Sequence, residues 1–300
     1  MITLGILGAG YIGCLHASIL LDKFPDVAVK FIYDKYESKA RQFGEKHNIS
    51  VCRNAEKILT DKNVDAVLIC TPTDLHCTYT LEALKNNKHV FCEKPLAPSL
   101  EDAEKMVRAA DKNKQCRTMT GHVLRFWPAY AKVKEIAAGG ALGKPVNAEF
   151  FRLLTFPGWT DGWNRSEKSN GGAHISTNLE YGNGVKGTVQ AGWSFQKEFP
   201  FTAGYRIFFE KGTLERDFRG GKILEQREKE SPYIPCYTDT EIKKIDIKSD
   251  DAFYLQMRYF IDSLAQNREI TNATFAQGKE ALEIVRESIL SAQSGEVRTV

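Results

Sequence analysis

The sequence lacks the features that mark a membrane-spanning, secreted or nucleic-acid-binding protein. No apolar run approaches the roughly 20 residues that a bilayer-spanning helix needs, and no basic flank precedes an apolar segment at the N-terminus. The 41 basic and 38 acidic residues leave a net charge of only +3, without a long block of one sign. Such a charge is too small to hold a polyanion. We therefore expect a cytoplasmic protein with neither a nucleic-acid nor a membrane partner.

The sequence also lacks paired cysteines. Its seven cysteines include no C-x-x-C pair, and most of them lie in apolar runs. An odd number of unpaired thiols is typical of buried side chains in a reducing compartment. The alternative is a nucleophilic or metal-binding cysteine, but no histidine or cysteine stands at the spacing of such a site. We expect no metal.

The length of 300 residues and the 42% of hydrophobic residues favour a globular protein of two domains. In the first part of the chain, short apolar runs alternate with segments of helical periodicity, as in a doubly wound parallel sheet. Strands are predicted over residues 2–8, 27–33, 65–70 and 88–92. Helices are predicted over residues 11–23, 36–47, 54–60, 74–86 and 99–114, with Asn54, Asp74 and Ser99 as N-caps. Residues 1–121 are therefore predicted to form an α/β domain of the Rossmann type.

Beyond residue 121 the pattern changes to one helix, over residues 126–138, followed by the period-two alternation of antiparallel strands. The sequence Gly182-Asn183-Gly184 predicts a hairpin turn. Strands are predicted over residues 174–181, 185–195, 204–209, 212–217, 222–227 and 242–247, and closing helices over 251–266 and 275–292. Residues 122–300 are predicted to form an α+β domain with an open, mostly antiparallel sheet, which binds substrate and mediates assembly. The closing helices either pack on this sheet or return to the first domain.

A glycine-rich turn follows the first predicted strand. Gly8, Gly10 and Gly13 form a G-x-G-x-x-G pattern that opens a helix, the context in which this pattern binds a dinucleotide. In that context Gly8 permits the tight turn, Gly10 the approach of the pyrophosphate and Gly13 the packing of helix on strand. Asp34 ends the second strand, where a carboxylate accepts the ribose hydroxyls of adenosine. A structural turn beside a solvated aspartate would explain neither position, so we predict NAD as the cofactor, with NADP as the alternative.

Two further polar clusters follow buried strands, at the edge where ligands bind in such folds. One is Thr71-Pro72-Thr73 with His76, a histidine that either contacts cofactor or substrate or is a satisfied structural side chain. The other is Glu93-Lys94-Pro95. Most lysines are solvated surface charges. At the carboxyl end of the strand predicted over residues 88–92, however, Lys94 can place a cation beside a reacting C–O bond.

These motifs resemble those of the Gfo/Idh/MocA oxidoreductases. Matching segments are residues 65–67, 71–73, 93–95, 121–128, 140–143, 171–173, 210–214 and 291–295, so the resemblance covers nearly the whole chain. It implies a two-domain enzyme that transfers hydride between a nicotinamide cofactor and a sugar, cyclitol or related polyol. It also implies that Lys94 is catalytic and that the Lys94-Pro95 peptide bond is cis. The predicted cofactor-binding residues are Gly8, Gly10, Tyr11, Ile12, Gly13, Asp34, Lys35, Thr71, Pro72, Thr73, His76, Glu93 and Lys94.

The chain departs from the family after Gly171-Gly172-Ala173. Members continue there with a helix that carries an aspartate and, four residues later, a histidine directed at the substrate. Neither residue is present, because the chain passes directly into His174, which strand periodicity places in a different element. Either the segment has been deleted, or the printed sequence omits a segment that the protein carries. In the first case NAD would still bind, but turnover would be poor.

The remaining predictions concern substrate and assembly. The family positions of His122 and Arg125 imply contact with substrate or nicotinamide. Trp159 and Trp163, with Arg152 nearby, either form a rim on which a sugar stacks or fill a domain or dimer interface. The open sheet favours a homo-oligomer, either a dimer or a tetramer. Two functions stay open: an NAD(P)-dependent oxidoreductase, and a non-catalytic dinucleotide-binding or regulatory protein of the same fold.

Overall fold

The computed structural model describes residues 1–155, 174–196, 198–220, 231–248 and 250–300. The chain forms two compact units. The first contains Met1–Arg125 and Phe253–Val300, and the second contains the described parts of Phe126–Gly162 and Gly171–Ala252. Within the described ranges, no helix combines the length and the apolar character needed to span a bilayer.

The first unit contains a six-stranded parallel sheet of order β3-β2-β1-β4-β5-β6. Its elements along the chain are β1 Ile2–Leu7, α1 Tyr11–Lys23, β2 Val27–Tyr33, α2 Glu37–His47, β3 Ser50–Val51, α3 Glu56–Thr60, β4 Ala66–Ile69, α4 His76–Lys85, β5 His89–Cys92, α5 Leu100–Lys112 and β6 Thr118–Thr120. The side chains of β4 are buried along its whole length, as expected of a strand covered on both faces. The predicted Rossmann architecture is confirmed.

The helix N-termini differ in part from the prediction. Ser99 caps α5, and its Oγ accepts the N–H of Asp102 at 3.1 Å. The Asn54 Oδ1 accepts the N–H of Lys57 in the first turn of α3 at 3.0 Å, but the N-cap position of α3 is occupied by Ala55. Asp74 is not an N-cap. It lies within a 3₁₀ turn, Thr73–Leu75, because Pro72 has already begun a tight turn there, and α4 begins only at His76.

The second unit contains a seven-stranded sheet of order β13-β12-β11-β10-β7-β9-β8. Its elements are α6 Pro128–Gly139, β7 Pro145–Thr155, β8 His174–Glu180, β9 Lys186–Phe195, β10 Thr202–Phe209, β11 Gly212–Arg219, β12 Tyr233–Tyr237 and β13 Ile242–Asp246. All pairings are antiparallel except that of β7 with β9. Side chains of α6 pack on one face of the sheet around Tyr205, whose hydroxyl donates to the Ala129 carbonyl at 3.2 Å. The predicted α+β class is confirmed.

The predicted hairpin joins β8 to β9. The N–H of Tyr181 donates to the Val185 carbonyl at 2.9 Å, and Gly184 has the positive φ of 81° that such a turn requires. The strand predicted over residues 222–227 lies outside the described residues. Four strands were not predicted. Of these, β3 and β6 span only two and three residues, too few to show a periodicity, and β12 contains a proline. The fourth, β7, shows no alternation of buried and exposed side chains.

The two closing helices, α7 Ala252–Ala265 and α8 Phe275–Ser294, change the predicted domain boundary. Residues 122–300 were expected to form one domain, but Phe253–Val300 clusters with the first unit. The reason is apolar packing. Phe275 is part of the buried cluster that contains Leu96, and Phe260 stacks edge-on against Phe91 with ring centroids 5.8 Å apart. The Thr120 N–H also donates to the carbonyl of Ala273 at 2.7 Å.

Candidate functional site

The glycine turn after β1 contains two glycines that the protein's own packing requires and one that it does not. Gly8 has φ of +103°, and a Cβ there would collide with the Cys70 carbonyl. A Cβ on Gly13 would collide with the Gly8 carbonyl. Gly10, by contrast, has φ of −75° and ψ of −176°, which any residue adopts, and a Cβ there would meet nothing within 4 Å. The open space over Gly10 is the room that an approaching ligand needs.

Gly10 is also the N-cap of α1, and as a glycine it has no side chain with which to cap that end. The N-terminus of a helix carries a partial positive charge and attracts phosphate groups. A depression of about 420 Å³ lies beside it, lined by Ala9, Gly10, Tyr11, Cys14, Lys39, Gln42, Phe43 and Lys46. Tyr11 is exposed and Ile12 is half-buried at the start of the helix. The turn therefore offers open space, a helix end and two lysines to an anionic ligand.

Asp34 is half-buried and follows the end of β2. Its Oδ2 accepts the N–H of Ala9 at 2.8 Å, and its Oδ1 accepts the N–H of Tyr36 at 2.9 Å. These bonds hold the carboxylate against the glycine turn, and each oxygen retains accepting capacity for a hydroxyl. The next residue, Lys35, is exposed, and the Lys39 Nζ lies 5.4 Å from the ring centroid of Tyr36. The residues present thus fit the pyrophosphate and ribose of a dinucleotide.

Thr71, Pro72 and Thr73 follow β4, the neighbour of β1 in the sheet. The hydroxyls of Thr71 and Thr73 are buried and have no hydrogen-bond partner within the described part of the chain. Buried hydroxyls without a partner are uncommon and point to a missing one. Pro72 is exposed between them.

His76 is buried and joins two loops. Its Nε2 lies 2.9 Å from the Thr71 carbonyl oxygen, and its Nδ1 lies 3.0 Å from the Pro95 carbonyl oxygen. Burial lowers the pKa of His76, against the opposing effect of the two carbonyls and of the Glu93 charge. Since both ring nitrogens face backbone oxygens of the protein, the contacts favour the structural alternative for this residue.

Glu93 and Lys94 follow β5, and the side chain of Lys94 is exposed. The Glu93 carboxylate is buried, its Oε1 lies 2.8 Å from the Nε2 of His16, and its Oε2 accepts the N–H of Lys94 at 3.1 Å. Burial acts to raise the pKa of Glu93, but the His16 hydrogen bond and the charge of Lys94 lower it overall. The Lys94-Pro95 peptide bond is cis, as predicted. Sequence reasoning missed His16; the only signal was a histidine within the apolar face of α1.

His122 and Arg125 follow β6, and both are half-buried. The N–H of Arg125 donates to the His122 carbonyl at 3.0 Å. Burial, with the charges of Arg125 and Lys94, lowers the pKa of His122 to about 4, although the Glu93 charge acts in the opposite direction. At neutral pH the imidazole is therefore uncharged and is a weak base.

The remaining predicted substrate-binding residues lie in the second unit or outside the described residues. Arg152 is on β7 of the second unit, with its guanidinium carbon 4.8 Å from the ring centroid of Phe201. His174 begins β8 of the same unit, as its periodicity predicted. Trp159, Trp163 and Ala173 lie outside the described residues. Among the residues that the structure describes, no three His, Cys, Asp or Glu side chains converge on a metal-sized site.

The order of the first sheet and its glycine turn define a Rossmann dinucleotide-binding fold. Residues 2–122 match the GFO_IDH_MocA model, described as "Oxidoreductase family, NAD-binding Rossmann fold". Residues 2–122 are therefore similar to the NAD-binding domain of the Gfo/Idh/MocA oxidoreductases, the family that the motifs resemble.

Two curated relatives illustrate the likeness. The myo-inositol 2-dehydrogenase of Thermotoga maritima is 36% identical over 144 residues, which are 47% of this chain and 42% of the relative. The 1,5-anhydro-D-fructose reductase of Ensifer adhaerens is 38% identical over 122 residues, 41% of this chain and 36% of the relative. The matched segment thus spans less than half the length of these relatives. A solved levoglucosan dehydrogenase in complex with NADH has a TM-score of 0.81 at 17% identity and covers 97% of both chains, which shows the same fold.

Proposed function

We propose that this protein is an NAD(P)-dependent oxidoreductase that transfers hydride between a nicotinamide cofactor and a sugar, cyclitol (inositol-like) or related polyol. One observation carries the proposal: the polar loops follow four strands that are neighbours in the sheet. The glycine turn follows β1, Thr71 follows β4, Lys94 follows β5 and His122 follows β6. At roughly 4.8 Å between strands, these ends line about 15 Å of one sheet edge. The inositol dehydrogenase and anhydrofructose reductase relatives support the substrate class.

Each group on this edge has a role that its surroundings support. The bound nicotinamide would supply the hydride acceptor or donor. The turn from Gly8 to Gly13 would hold the pyrophosphate, Asp34 the ribose hydroxyls, and Thr71 and Thr73 the remaining polar edges of the cofactor. The exposed ammonium of Lys94 would hold the substrate oxygen and stabilise the negative charge that develops there.

The sequence holds no counterpart of the family's proton-transfer residues. The aspartate and histidine that family members carry after Ala173 are absent from the sequence. His122 does not replace them, because a pKa of about 4 makes it a poor proton acceptor at neutral pH. This departure favours the second candidate, a non-catalytic dinucleotide-binding or regulatory protein.

Calorimetric titration with NADH, followed by turnover assays with myo-inositol and glucose, tests the two candidates. The chain, with its sequence verified by intact mass, is expected to bind NADH and to turn over slowly. A missing general acid or base costs about 10² to 10⁴ in rate. Failure to bind NADH would refute both candidates, and binding without any turnover would favour the second. An ordinary kcat would contradict the expectation of slow turnover.

Asp34 is expected to make the protein prefer NAD to NADP, because its carboxylate would repel the 2′-phosphate of NADP. Lys35 and Lys39 lie close enough in sequence to reduce this preference. Asp34→Ala should narrow the ratio of the two dissociation constants, measured by calorimetry with NADH and NADPH. Asp22→Ala, at an exposed position near the end of α1, is the control and should leave the ratio unchanged. Tighter binding of NADPH by the unaltered protein would show that the lysines outweigh Asp34.

We also propose a homo-oligomer that assembles through the open sheet, and a cytoplasmic location. Opposite the α6-covered face, Arg206 forms partly exposed ion pairs with Glu215 at 2.6 Å and Glu149 at 3.7 Å. A polar but accessible sheet face suits association between copies. A single 33.8 kDa chain in light scattering would contradict the oligomer.

The cytoplasmic location is supported by the seven cysteines, all within the described ranges and all free.

A further inference from the structure

His16 is a fully buried polar side chain that the proposed reaction does not use. It lies on α1, the helix that the glycine turn opens, and its Nε2 is 2.8 Å from the Glu93 Oε1. Its ring packs edge-on against Phe91 and Phe253, with centroid distances of 5.2 Å and 5.9 Å. Its Nδ1 is buried and has no hydrogen-bond partner among the side chains and backbone that the structure describes. The polar contact of the His16 ring is therefore with Glu93.

The geometry shows which nitrogen of His16 meets the carboxylate. Nε2 lies within hydrogen-bonding distance of Glu93, whereas Nδ1 has no partner among the described residues. A ring that carries a proton on Nε2 donates it to the Glu93 carboxylate.

The Glu93 carboxylate in turn holds the backbone of the lysine loop. Its second oxygen accepts the N–H of Lys94 at 3.1 Å. Gly121, after β6, closes the third side, because a Cβ on Gly121 would lie 2.8 Å from the Glu93 carboxyl carbon. The carboxylate therefore contacts α1, its own loop and the end of β6, which leaves it little freedom to move.

We propose that His16 is a positioning residue: it orients the Glu93 carboxylate, and through it the Lys94 backbone, so that the helix at the dinucleotide turn and the lysine loop keep one relative geometry. The consequence for catalysis rests on the proposed function of Lys94. The linkage itself is a property of the protein without cofactor or substrate.

Amide hydrogen exchange at Lys94 tests the linkage directly, without cofactor. His16→Leu removes the donor at similar volume and should speed this exchange by about tenfold or more, while amides of buried β4 keep their rates. His16→Gln offers an amide donor and should restore much of the protection. Unchanged exchange at Lys94 in a folded His16→Leu protein would overturn the proposal.

Two further variants keep the test decisive if His16→Leu does not fold because it strands a buried charge. Glu93→Gln removes the charge, and the double variant His16→Leu/Glu93→Gln also removes the donor. The proposal expects faster Lys94 exchange in the double variant than in Glu93→Gln. Equal exchange in these two proteins would contradict it.

Kinetics separate a failure of this inference from a failure of the proposed function. His16→Leu should lower kcat by roughly 10- to 100-fold through misplacement of Lys94, with little change in the NADH dissociation constant. Faster exchange at Lys94 in a protein that does not bind NADH would leave the linkage standing and refute the proposed function. An unaltered kcat together with unaltered exchange would refute the role of His16 and leave the function intact.

Discussion

Lys94→Ala is expected to lower kcat for a polyol substrate by about 10²- to 10³-fold, the usual effect of deleting one group that stabilises a developing oxyanion. The Lys94 ammonium is exposed at the mouth of β5, beside the polar loops of the neighbouring strands. Because its proposed partner is the substrate oxygen, the NADH dissociation constant should change little. Steady-state kinetics at saturating substrate, with calorimetric NADH titration, measure both quantities.

Lys85→Ala is the matched control, since Lys85 is a largely exposed lysine at the end of α4 and is not on the strand-end edge. It should leave kcat unchanged. Lys94→Arg retains the charge but alters its shape, so an intermediate kcat is expected. If kcat of Lys94→Ala equals that of the unaltered protein, the lysine is only structural and the charge is stabilised elsewhere.

Gly10→Val is expected to weaken NADH binding by about 100-fold while leaving the melting temperature unchanged. The backbone of Gly10 is compatible with any residue, and a Cβ there meets nothing within 4 Å, so the free protein tolerates the side chain. The pyrophosphate, in contrast, must approach this backbone closely. NADH titration and thermal unfolding of the same preparation separate the two effects.

Two glycines serve as controls for Gly10. Gly139, at the end of α6, also has open space at its Cβ position, so Gly139→Val should change neither NADH affinity nor the melting temperature appreciably. Gly13→Ala should lower the melting temperature, because its Cβ would collide with the Gly8 carbonyl. Retained NADH affinity in Gly10→Val would show that no dinucleotide lies against this turn.

Much of the candidate site could be read from local sequence. The glycine pattern, Asp34 and the lysine motif each stand next to an apolar run, and the carboxyl ends of parallel strands share one edge. The structure places all of these groups on that edge. His76 shows the limit of this reasoning, because the sequence does not show its contacts with the Thr71 and Pro95 carbonyls, which favour a structural role.

The sequence by itself determined the elements whose periodicity is local: the longer strands and the helices of the first unit, the hairpin at Gly184 and the two-part division into parallel and mostly antiparallel sheets. Tertiary structure alone decided which distant elements meet. It brought His16 to Glu93 across 77 residues, added α7 and α8 to the first unit, and paired β7 with β9 in parallel. The physical reason is that periodicity shows which face of an element is buried, whereas the partner that covers this face is chosen by packing of the whole chain.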